Sequence, residues 1–261
     1  MTDVVSADGT TLVARHSGDG VPVVLVHGSS GGLDSWDGVA PFLDDAFEVW
    51  VYARRGYAPS GVGGHEKTFA DDVADLLAVV HAAGGDAHIV GASYGATVGL
   101  HTALTNPSAI RSLALFEPPL FASGTALLPV LQGYTSLIES GDVVGAARLF
   151  AERVAQVPTE VLDGIAPDAG ELAELVGCLH DLQAMAFDQT DVTRWGEINI
   201  PTLLMQGAES WPPIPATMQR LATALPAATR AILDGQSHFA THTAPQLFAE
   251  KLLQFLHEHS S

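Results

Sequence analysis

One serine of the chain lies in a setting that makes a hydroxyl reactive. Ser93 stands in Gly91-Ala92-Ser93-Tyr94-Gly95, directly after the apolar run at 88–90 and before the apolar stretch at 96–104. A strand, a tight turn and a helix in that order lift a serine above the edge of a sheet, and flanking glycines leave room for the strained backbone. The pattern predicts that Ser93 is a nucleophile. The alternative is an ordinary serine in a glycine-rich turn.

A serine nucleophile needs a general base, and a late segment of the chain offers one. His238 stands in Asp234-Gly235-Gln236-Ser237-His238-Phe239, after the last strand-like run. A histidine there can take the serine proton and return it to the leaving group. We predict His238 as the base. The less favoured candidates, one helical turn on or in the tail, are His242, His257 and His259.

A second glycine-rich turn can stabilise negative charge on the reacting oxygen. Val26-His27-Gly28-Ser29-Ser30-Gly31-Gly32 follows the first strong strand-like run. Backbone N–H groups aimed at a developing oxyanion supply much of the stabilisation in acyl transfer. We assign this role to the N–H of Ser29 and the N–H of Tyr94. His27 is expected to hold the turn by hydrogen bonding, not to move protons.

The elements that position these groups are short buried strands alternating with helices. Strand-like apolar runs occur at 23–26, 49–52, 88–90 and 113–116. Between the second and third runs, Val73, Leu76, Leu77 and Val80 recur at helical spacing. Strand, helix, strand in this order implies a right-handed crossover and parallel strands. We predict an α/β fold with a mostly parallel central sheet flanked by helices.

The middle of the chain has a different character. Strand-like runs vanish from 118 to 199, where 143–157 and 171–187 have helical patterns. Strand-like runs return at 202–205 and 231–233, and 245–257 reads as a final amphipathic helix. We predict a core formed by 1–117 and 200–261, with an inserted helical cap at 118–199.

Together these motifs resemble the α/β-hydrolase family, over nearly the whole chain apart from the cap. The features that carry the resemblance are the His27-Gly28 turn, the Ser93 elbow and Gly235-Gln236-Ser237-His238, in the order the family has them. The resemblance implies a serine, histidine and acid triad.

A further loop is similar to one that the family has after an early strand. Arg54-Arg55-Gly56-Tyr57-Ala58-Pro59-Ser60 matches the usual Asp-Arg-Arg-Gly-x-Gly-x-Ser, with alanine at 53 and 58 as departures. In the family this loop is more often structural than catalytic. We therefore expect it to support the site rather than to react.

The triad acid departs from the usual family pattern. Most members carry an Asp three residues beyond a Gly after the strand that follows the cap, and Gly207-Ala208-Glu209-Ser210 places Ser210 there. Two carboxylates compete: Glu209 on the same loop, and Glu117 after the strand that precedes the cap. Some branches, including haloalkane dehalogenases with a Glu acid and zearalenone lactonases, take the acid from that earlier strand. We favour Glu117, whose alternative role is a hinge carboxylate bonded to nearby amides.

The net charge of the chain limits the classes of partner that it could bind. Eleven Lys and Arg face 30 Asp and Glu, a net charge of −19, whereas phosphate binding depends on Lys and Arg. We therefore predict no nucleic acid and no membrane partner.

The cysteine content, the N-terminus and the histidine spacing bear on compartment and cofactors. Cys178 is the single cysteine, the N-terminus has no secretory pattern, and no Cys/His cluster has metal-site spacing. We expect a soluble cytoplasmic protein without metal or cofactor, and monomer and homodimer both stay open.

The substrate pocket is expected between the sheet edge and the cap, outside the carboxyl ends of the strands. Six aromatic residues could line it or belong to the ordinary core: Trp36, Phe121, Tyr134, Phe187, Trp195 and Trp211. The cap carries no charged motif that names a substrate. We expect a small, uncharged and fairly hydrophobic molecule.

Serine at the elbow, where epoxide hydrolases and dehalogenases of this fold carry Asp, favours acyl transfer. The leading hypothesis is hydrolysis of a carboxylic ester or lactone through an acyl-enzyme at Ser93, with thioesters and C–C bonds also open. A lyase acting on a cyanohydrin and a small-molecule-binding homologue without catalysis are the alternatives from other classes.

Overall fold

The computed structural model describes residues 1–162, 172–225 and 227–260. This part of the chain contains a sheet of eight strands in the order β1-β2-β4-β3-β5-β6-β7-β8. The strands are β1 (Thr2–Val5), β2 (Thr11–Ser17), β3 (Val21–Val26), β4 (Phe47–Tyr52), β5 (Ala87–Ala92), β6 (Ile110–Phe116), β7 (Thr202–Gly207) and β8 (Thr229–Leu233). β2 is antiparallel to β1 and β4, and all pairings from β4 through to β8 are parallel.

Helices connect the parallel strands and cover the sheet. They are α1 (Phe69–Ala82), α2 (Tyr94–Thr105), α3 (Leu128–Ser140), α4 (Val143–Arg153), α5 (Thr159–Leu162), α6 (Leu172–Ala186), α7 (Ile214–Ala224), α8 (Ala240–Thr243) and α9 (Pro245–Glu258). The predicted class, a mostly parallel sheet flanked by helices, is confirmed.

The central strands are apolar throughout because both faces of the sheet are buried. In β3, Val24 and Val26 belong to the core cluster that includes residues of α1 and α2. Val23 and Leu25 point the other way, into the cluster that includes α9. Alternate side chains of a strand point to opposite faces, so a continuous apolar run is the signature of a strand covered on both sides.

Helix α1 shows how local signals fix an element. The Thr68 N–H donates to Asp71 Oδ2 at 2.8 Å, which begins the helix with a capping-box contact. Leu76 and Val80 are buried as their spacing predicts. Asp72 and Asp75 are buried on the same helix, and hydrophobic periodicity could not identify these two carboxylates as interior groups.

The sequence-based outline misses several elements. β1 and β2, the antiparallel pair at the sheet edge, are only partly buried, so their hydrophobic patterns are weak. The sequence pattern gives no bounds for α3, which lies in the predicted helical region, and it does not predict α7. Between β6 and β7 the described residues form helices and no strand, and α3 packs against α4 and α6. Residue 171, the predicted start of α6, lies outside the described residues.

The division into a core and a cap at 118–199 stays a prediction. Within the described residues, no helix is both long enough and apolar enough to cross a membrane.

Candidate active site

Ser93 lies at the sharp turn between β5 and α2. Its φ of 53° and ψ of −124° are strained for a residue with a side chain. The flanking glycines are required by space: a Cβ at Gly91 would overlap the backbone of Gly95 and Ala96, and a Cβ at Gly95 would overlap the carbonyl of Val26. The sequence thus builds a tight elbow that leaves Ser93 partly exposed at the carboxyl end of β5.

The turn after β3 closes on this serine. A Cβ at Gly28 would lie 3.0 Å from Ser93 Cβ, so only glycine allows the two loops to come this close. The N–H of Tyr94 is at the first position of α2, where no intrahelical acceptor exists. Ser29 directly follows Gly28 and lines the same cavity as Ser93. Both predicted oxyanion donors therefore belong to loops that meet at Ser93.

His238 and Glu117 are joined by a short hydrogen bond. His238 Nδ1 is 2.6 Å from Glu117 Oε2, and the Glu117 side chain is fully buried. The other carboxylate oxygen accepts from the Gly207 N–H at 2.8 Å and from Ser210 Oγ at 2.6 Å. A carboxylate acceptor fixes the proton of His238 on Nδ1 and leaves Nε2 free to accept. Glu117 has a φ of 49°, a second strained position at the site.

Ser210 stands at the position where the resemblance places the usual acid, and it donates to Glu117 instead of replacing it. Glu209, the alternative acid, has an exposed side chain, and its N–H donates to the Gln236 carbonyl at 2.8 Å. Among the described residues, His238 has an ion-pairing contact with Glu117 and none with Glu209.

His27 holds its turn by two hydrogen bonds. Its Nε2 accepts from the Arg54 N–H at 2.9 Å, so its Nδ1 carries the proton and donates to the Gly28 carbonyl at 2.7 Å. Burial, reinforced by the charge of Arg54, lowers the pKa of His27 to about 3. A neutral ring with both nitrogens engaged is suited to structure rather than to proton transfer.

A cavity of about 740 Å³ opens over Ser93. Its lining includes Ser29, Trp36, Phe116, His238 and Phe239. Ser93 and His238 share no direct hydrogen bond in the part of the chain that the structure describes; such contacts often tighten only when substrate binds. His242 also lines the cavity, whereas His257 and His259 pack on Phe47 and Phe255 at the far end of α9.

The aromatic predictions divide into two groups. Trp36 lines the cavity. Trp211 is not among the lining residues, but its ring lies 5.7 Å from the ring of His238. The other four do not line it, because Phe121 and Tyr134 pack in the helical core, Trp195 packs on His101 and Phe187 is 63% exposed. The sequence reasoning missed Phe116, which ends β6 and stacks on His238 with a centroid distance of 5.9 Å.

A buried ion network contacts the glycine-rich turn after β3. Asp181 of α6 binds Arg54 through two contacts of 2.8 Å and Lys67 at 2.6 Å. Burial alone would raise the pKa of Asp181, but the charges of Arg54 and Lys67 hold it below its usual value. Sequence reasoning missed this network, since its members are up to 127 residues apart and no local motif joins them.

One group of side chains away from Ser93 has metal-ligand chemistry. Ligand atoms of Asp8, His65 and Asp71 lie within 4.8 Å of one another. Arg55 already pairs with Asp8 at 2.9 Å and lies 3.6 Å from Asp71. The Arg55 guanidinium therefore already supplies a positive charge to these carboxylates. None of these residues lines the Ser93 cavity.

Comparison with known proteins agrees with the fold and the motifs. The model of the alpha/beta hydrolase family matches residues 23–251, and the chain belongs to this family of hydrolases. It is 29% identical to a putative carbamate hydrolase of Azorhizobium caulinodans, over 92% of this chain and 93% of that protein. It is 27% identical to a non-heme chloroperoxidase of Streptomyces lividans, over 98% and 99%.

Solved structures give the same result. An alpha/beta hydrolase from Sphaerobacter thermophilus is 32% identical with a TM-score of 0.84, over 98% of this chain and 100% of that one. An enol-lactonase from Burkholderia xenovorans is 20% identical with a TM-score of 0.77, over 98% and 100%. The second likeness speaks for the fold alone.

Proposed function

We propose that the protein is a serine hydrolase that cleaves a carboxylic ester or lactone of a small, fairly hydrophobic substrate. Ser93 is the nucleophile, His238 the general base and Glu117 the acid that orients it. The observation that carries this proposal is the 2.6 Å contact between His238 Nδ1 and the buried Glu117 carboxylate, beside the cavity that contains Ser93. A hydrogen bond from the histidine Nδ1 to a buried carboxylate is the contact by which the acid of a serine, histidine and acid triad orients its base.

The proposed reaction begins when Ser93 Oγ attacks the carbonyl carbon and His238 Nε2 takes the serine proton. The imidazolium that forms is stabilised by Glu117, whose charge is 2.6 Å away. The N–H groups of Ser29 and Tyr94 stabilise the oxyanion. His238 then protonates the departing alkoxide. A water molecule, deprotonated by His238, then attacks the acyl carbon. The bond to Ser93 Oγ breaks, His238 returns the proton to Ser93 Oγ, and the acid is released.

The lining of the cavity supports an uncharged substrate. Trp36, Phe116 and Phe239 supply apolar surface. Asp34 is a carboxylate in the lining, and no Lys or Arg is found among the described lining residues. A substrate with its own carboxylate would meet negative charge without a cation to pair with, so neutral esters and lactones fit better.

Carbamates are a second candidate substrate class. The relative from Azorhizobium caulinodans, named as a putative carbamate hydrolase, aligns over nearly the whole chain. A carbamate presents the same kind of carbonyl to Ser93 as an ester, and attack on it forms the same kind of oxyanion. The two classes differ in the leaving group and in the carbonyl substituent, so turnover measurements separate them.

The test is intact mass after incubation with a fluorophosphonate, on the wild type and on Ser93→Ala in parallel. One adduct on the wild type and none on Ser93→Ala is the expected result. Esters, lactones, carbamates and thioesters are then compared for turnover. A wild type without an adduct would overturn the proposal and favour a small-molecule-binding protein.

A further inference from the structure

Asp181 connects helix α6 to the turn that carries a proposed oxyanion donor. Its side chain is fully buried. Oδ2 accepts from Ser29 Oγ and from the Tyr57 hydroxyl, each at 2.7 Å. The same carboxylate binds Arg54 through two contacts and Lys67 through one. Five donor contacts on one carboxylate leave it no freedom to move.

Arg54 transmits this constraint to one particular peptide group. Its Nε donates to the His27 carbonyl at 2.9 Å, and its terminal nitrogen donates to the Gly28 carbonyl at 3.0 Å. The Gly28 carbonyl and the Ser29 N–H belong to the same planar peptide unit and point in opposite directions. Holding the carbonyl against Arg54 therefore fixes the direction of the Ser29 N–H.

The second proposed oxyanion residue is held by the same charges. The Tyr94 hydroxyl donates to Asp72 at 2.6 Å, and Asp72 accepts from Lys67 at 3.1 Å. The Arg54 guanidinium lies 4.4 Å from the centre of the Tyr94 ring. Two cations and two carboxylates thus form a buried cluster that touches both loops of the oxyanion site.

We propose that Asp181 is a positioning residue for the oxyanion site, acting through Arg54 and the Ser29 hydroxyl. Acyl transfer at Ser93 then depends on α6 being seated over the sheet, although Asp181 itself touches no reacting atom. This inference rests on the proposed function and adds to it a residue that comes from a distant part of the chain.

The experiment compares the wild type with Asp181→Asn, Ser29→Ala and their double variant. Two quantities are measured: kcat and KM for p-nitrophenyl acetate, and the rate constant of Ser93 phosphonylation by a fluorophosphonate. Asp181→Asn should lower kcat and the phosphonylation rate by at least about tenfold, because small displacements of transition-state donors are costly. KM should change by less than roughly twofold, since the oxyanion contacts form mainly in the transition state.

Ser29→Ala keeps the Ser29 N–H and all four buried charges, so it tests the inference even if Asp181→Asn folds poorly. It should lower kcat about threefold to tenfold with little change in Tm. In the Asp181→Asn background the same change should have a smaller effect, because the bond that it removes is already weakened. If the two changes instead act independently, so that the fold-losses in kcat of Asp181→Asn and Ser29→Ala multiply in the double variant, Asp181 does not act through the Ser29 hydroxyl.

Asp75→Asn is the matched control. Asp75 is 1% exposed and binds Arg55 through contacts of 2.7 and 2.6 Å, but it touches neither oxyanion loop. It should lower Tm and leave kcat unchanged. If wild type labels on Ser93 and Asp181→Asn behaves like Asp75→Asn, only the positioning role is overturned. If wild type does not label, the proposed function and this inference both fall.

Discussion

Glu117 and Asp181 are two of the buried carboxylates around the candidate site, and their charges are neutralised in different ways. Glu117 accepts from neutral donors, the Gly207 N–H and Ser210 Oγ, and its one ionisable partner among the described residues is His238. Asp181 is paired with two permanent cations, Arg54 and Lys67. The charge of Glu117 is therefore available to an imidazolium that forms during reaction, whereas the charge of Asp181 is already compensated.

This difference suits Glu117 to a role in the reaction and Asp181 to a role in holding the structure. A carboxylate held by neutral donors can respond to a new positive charge beside it. A carboxylate in a balanced ion cluster stabilises a fixed geometry, and removing one member leaves an uncompensated charge in the interior. Changes near Glu117 should therefore appear mainly in kcat, and changes near Asp181 should appear in both stability and kcat.

Glu117→Gln should produce the largest loss of activity. Glutamine keeps the shape of the side chain but has no charge to stabilise the His238 imidazolium. We expect kcat to fall by about three to four orders of magnitude, as when the acid of a triad is replaced. Steady-state kinetics on the best ester substrate measures the effect, with Tm recorded to show that the fold persists.

Glu209→Gln is the control for that loss. Glu209 is exposed, so its replacement should change kcat by less than roughly twofold. The opposite pattern, with Glu209→Gln inactive and Glu117→Gln active, would reassign the acid to Glu209 and make Glu117 a hinge carboxylate.

Arg54→Met should produce the largest loss of stability. It leaves Asp181 with Lys67 as its one cation within the described network, in an environment without solvent. Breaking a buried ion pair from one side costs about 3–5 kcal/mol. Denaturant unfolding followed by circular dichroism measures the change in the free energy of unfolding.

A surface ion pair supplies the comparison for Arg54. Arg111 lies 2.7 Å from Asp86, with side chains 33% and 46% exposed. Arg111→Met should cost under about 1 kcal/mol, because solvent screens such pairs. Equal losses in Arg54→Met and Arg111→Met would show that the buried cluster contributes no special stability.

His27 should make the protein less stable in acid. Burial, and then the charge of Arg54, lowers the pKa of His27 to about 3 from the usual 6.5. Below pH 6.5, His27 is protonated in the unfolded chain but stays neutral in the folded chain until the pH approaches 3. Stability is therefore full above pH 6.5 and falls as pH decreases, by up to about 3 kcal/mol at pH 4.

His27→Gln tests this pH dependence. The variant should show a flatter plot of unfolding free energy against pH between 6.5 and 4, even if it is less stable at pH 7. Burial lowers the pKa of His88 to about 4, so a residual slope of the same sign remains in both proteins. An unchanged slope in His27→Gln would mean that His27 is protonated in the folded state.

The sequence predicts well what depends on local pattern. Glycine spacing around Ser93 and a continuous apolar run before it specify the elbow, and the steric conflict that requires Gly91 is with Gly95 and Ala96, in the same motif. The conflict that requires Gly95 is with the carbonyl groups of Val26 and His27, which the local pattern does not show. The parallel sheet follows from alternating strand and helix signals in the same way. His238 was found from its place after the last strand.

What the sequence could not show depends on long-range contacts. Asp181 and Arg54 meet across 127 residues, and a single Asp on a helix gives no sign of being buried. The aromatic residues between β6 and β7 could not be assigned either, because packing in a helical core and lining a cavity require the same residue types. Phe187 is exposed, and Tyr134 is interior.

The last test asks whether the acid can be moved from position 117 to position 210, and the change in kcat that we expect is smaller than the loss in Glu117→Gln. Ser210 Oγ lies 2.6 Å from Glu117 Oε1, so a carboxylate at 210 would be near the place that Glu117 now fills. Adding Ser210→Asp to Glu117→Gln should restore about 10- to 100-fold of the lost kcat, because a charged partner for His238 returns from the other strand.

The control is Ser210→Asn in the same Glu117→Gln background. Asparagine has the shape of aspartate but no charge, so this variant should restore none of the lost kcat. In the presence of native Glu117, Ser210→Asp should lower stability, since two carboxylates in contact cannot both remain ionised without cost. Recovery with Asp but not with Asn would show that His238 needs a negative charge at this place and accepts it from either β6 or β7. Failure of both would mean that the backbone at Glu117, with its φ of 49°, sets the direction of the acid and cannot be replaced from the neighbouring loop.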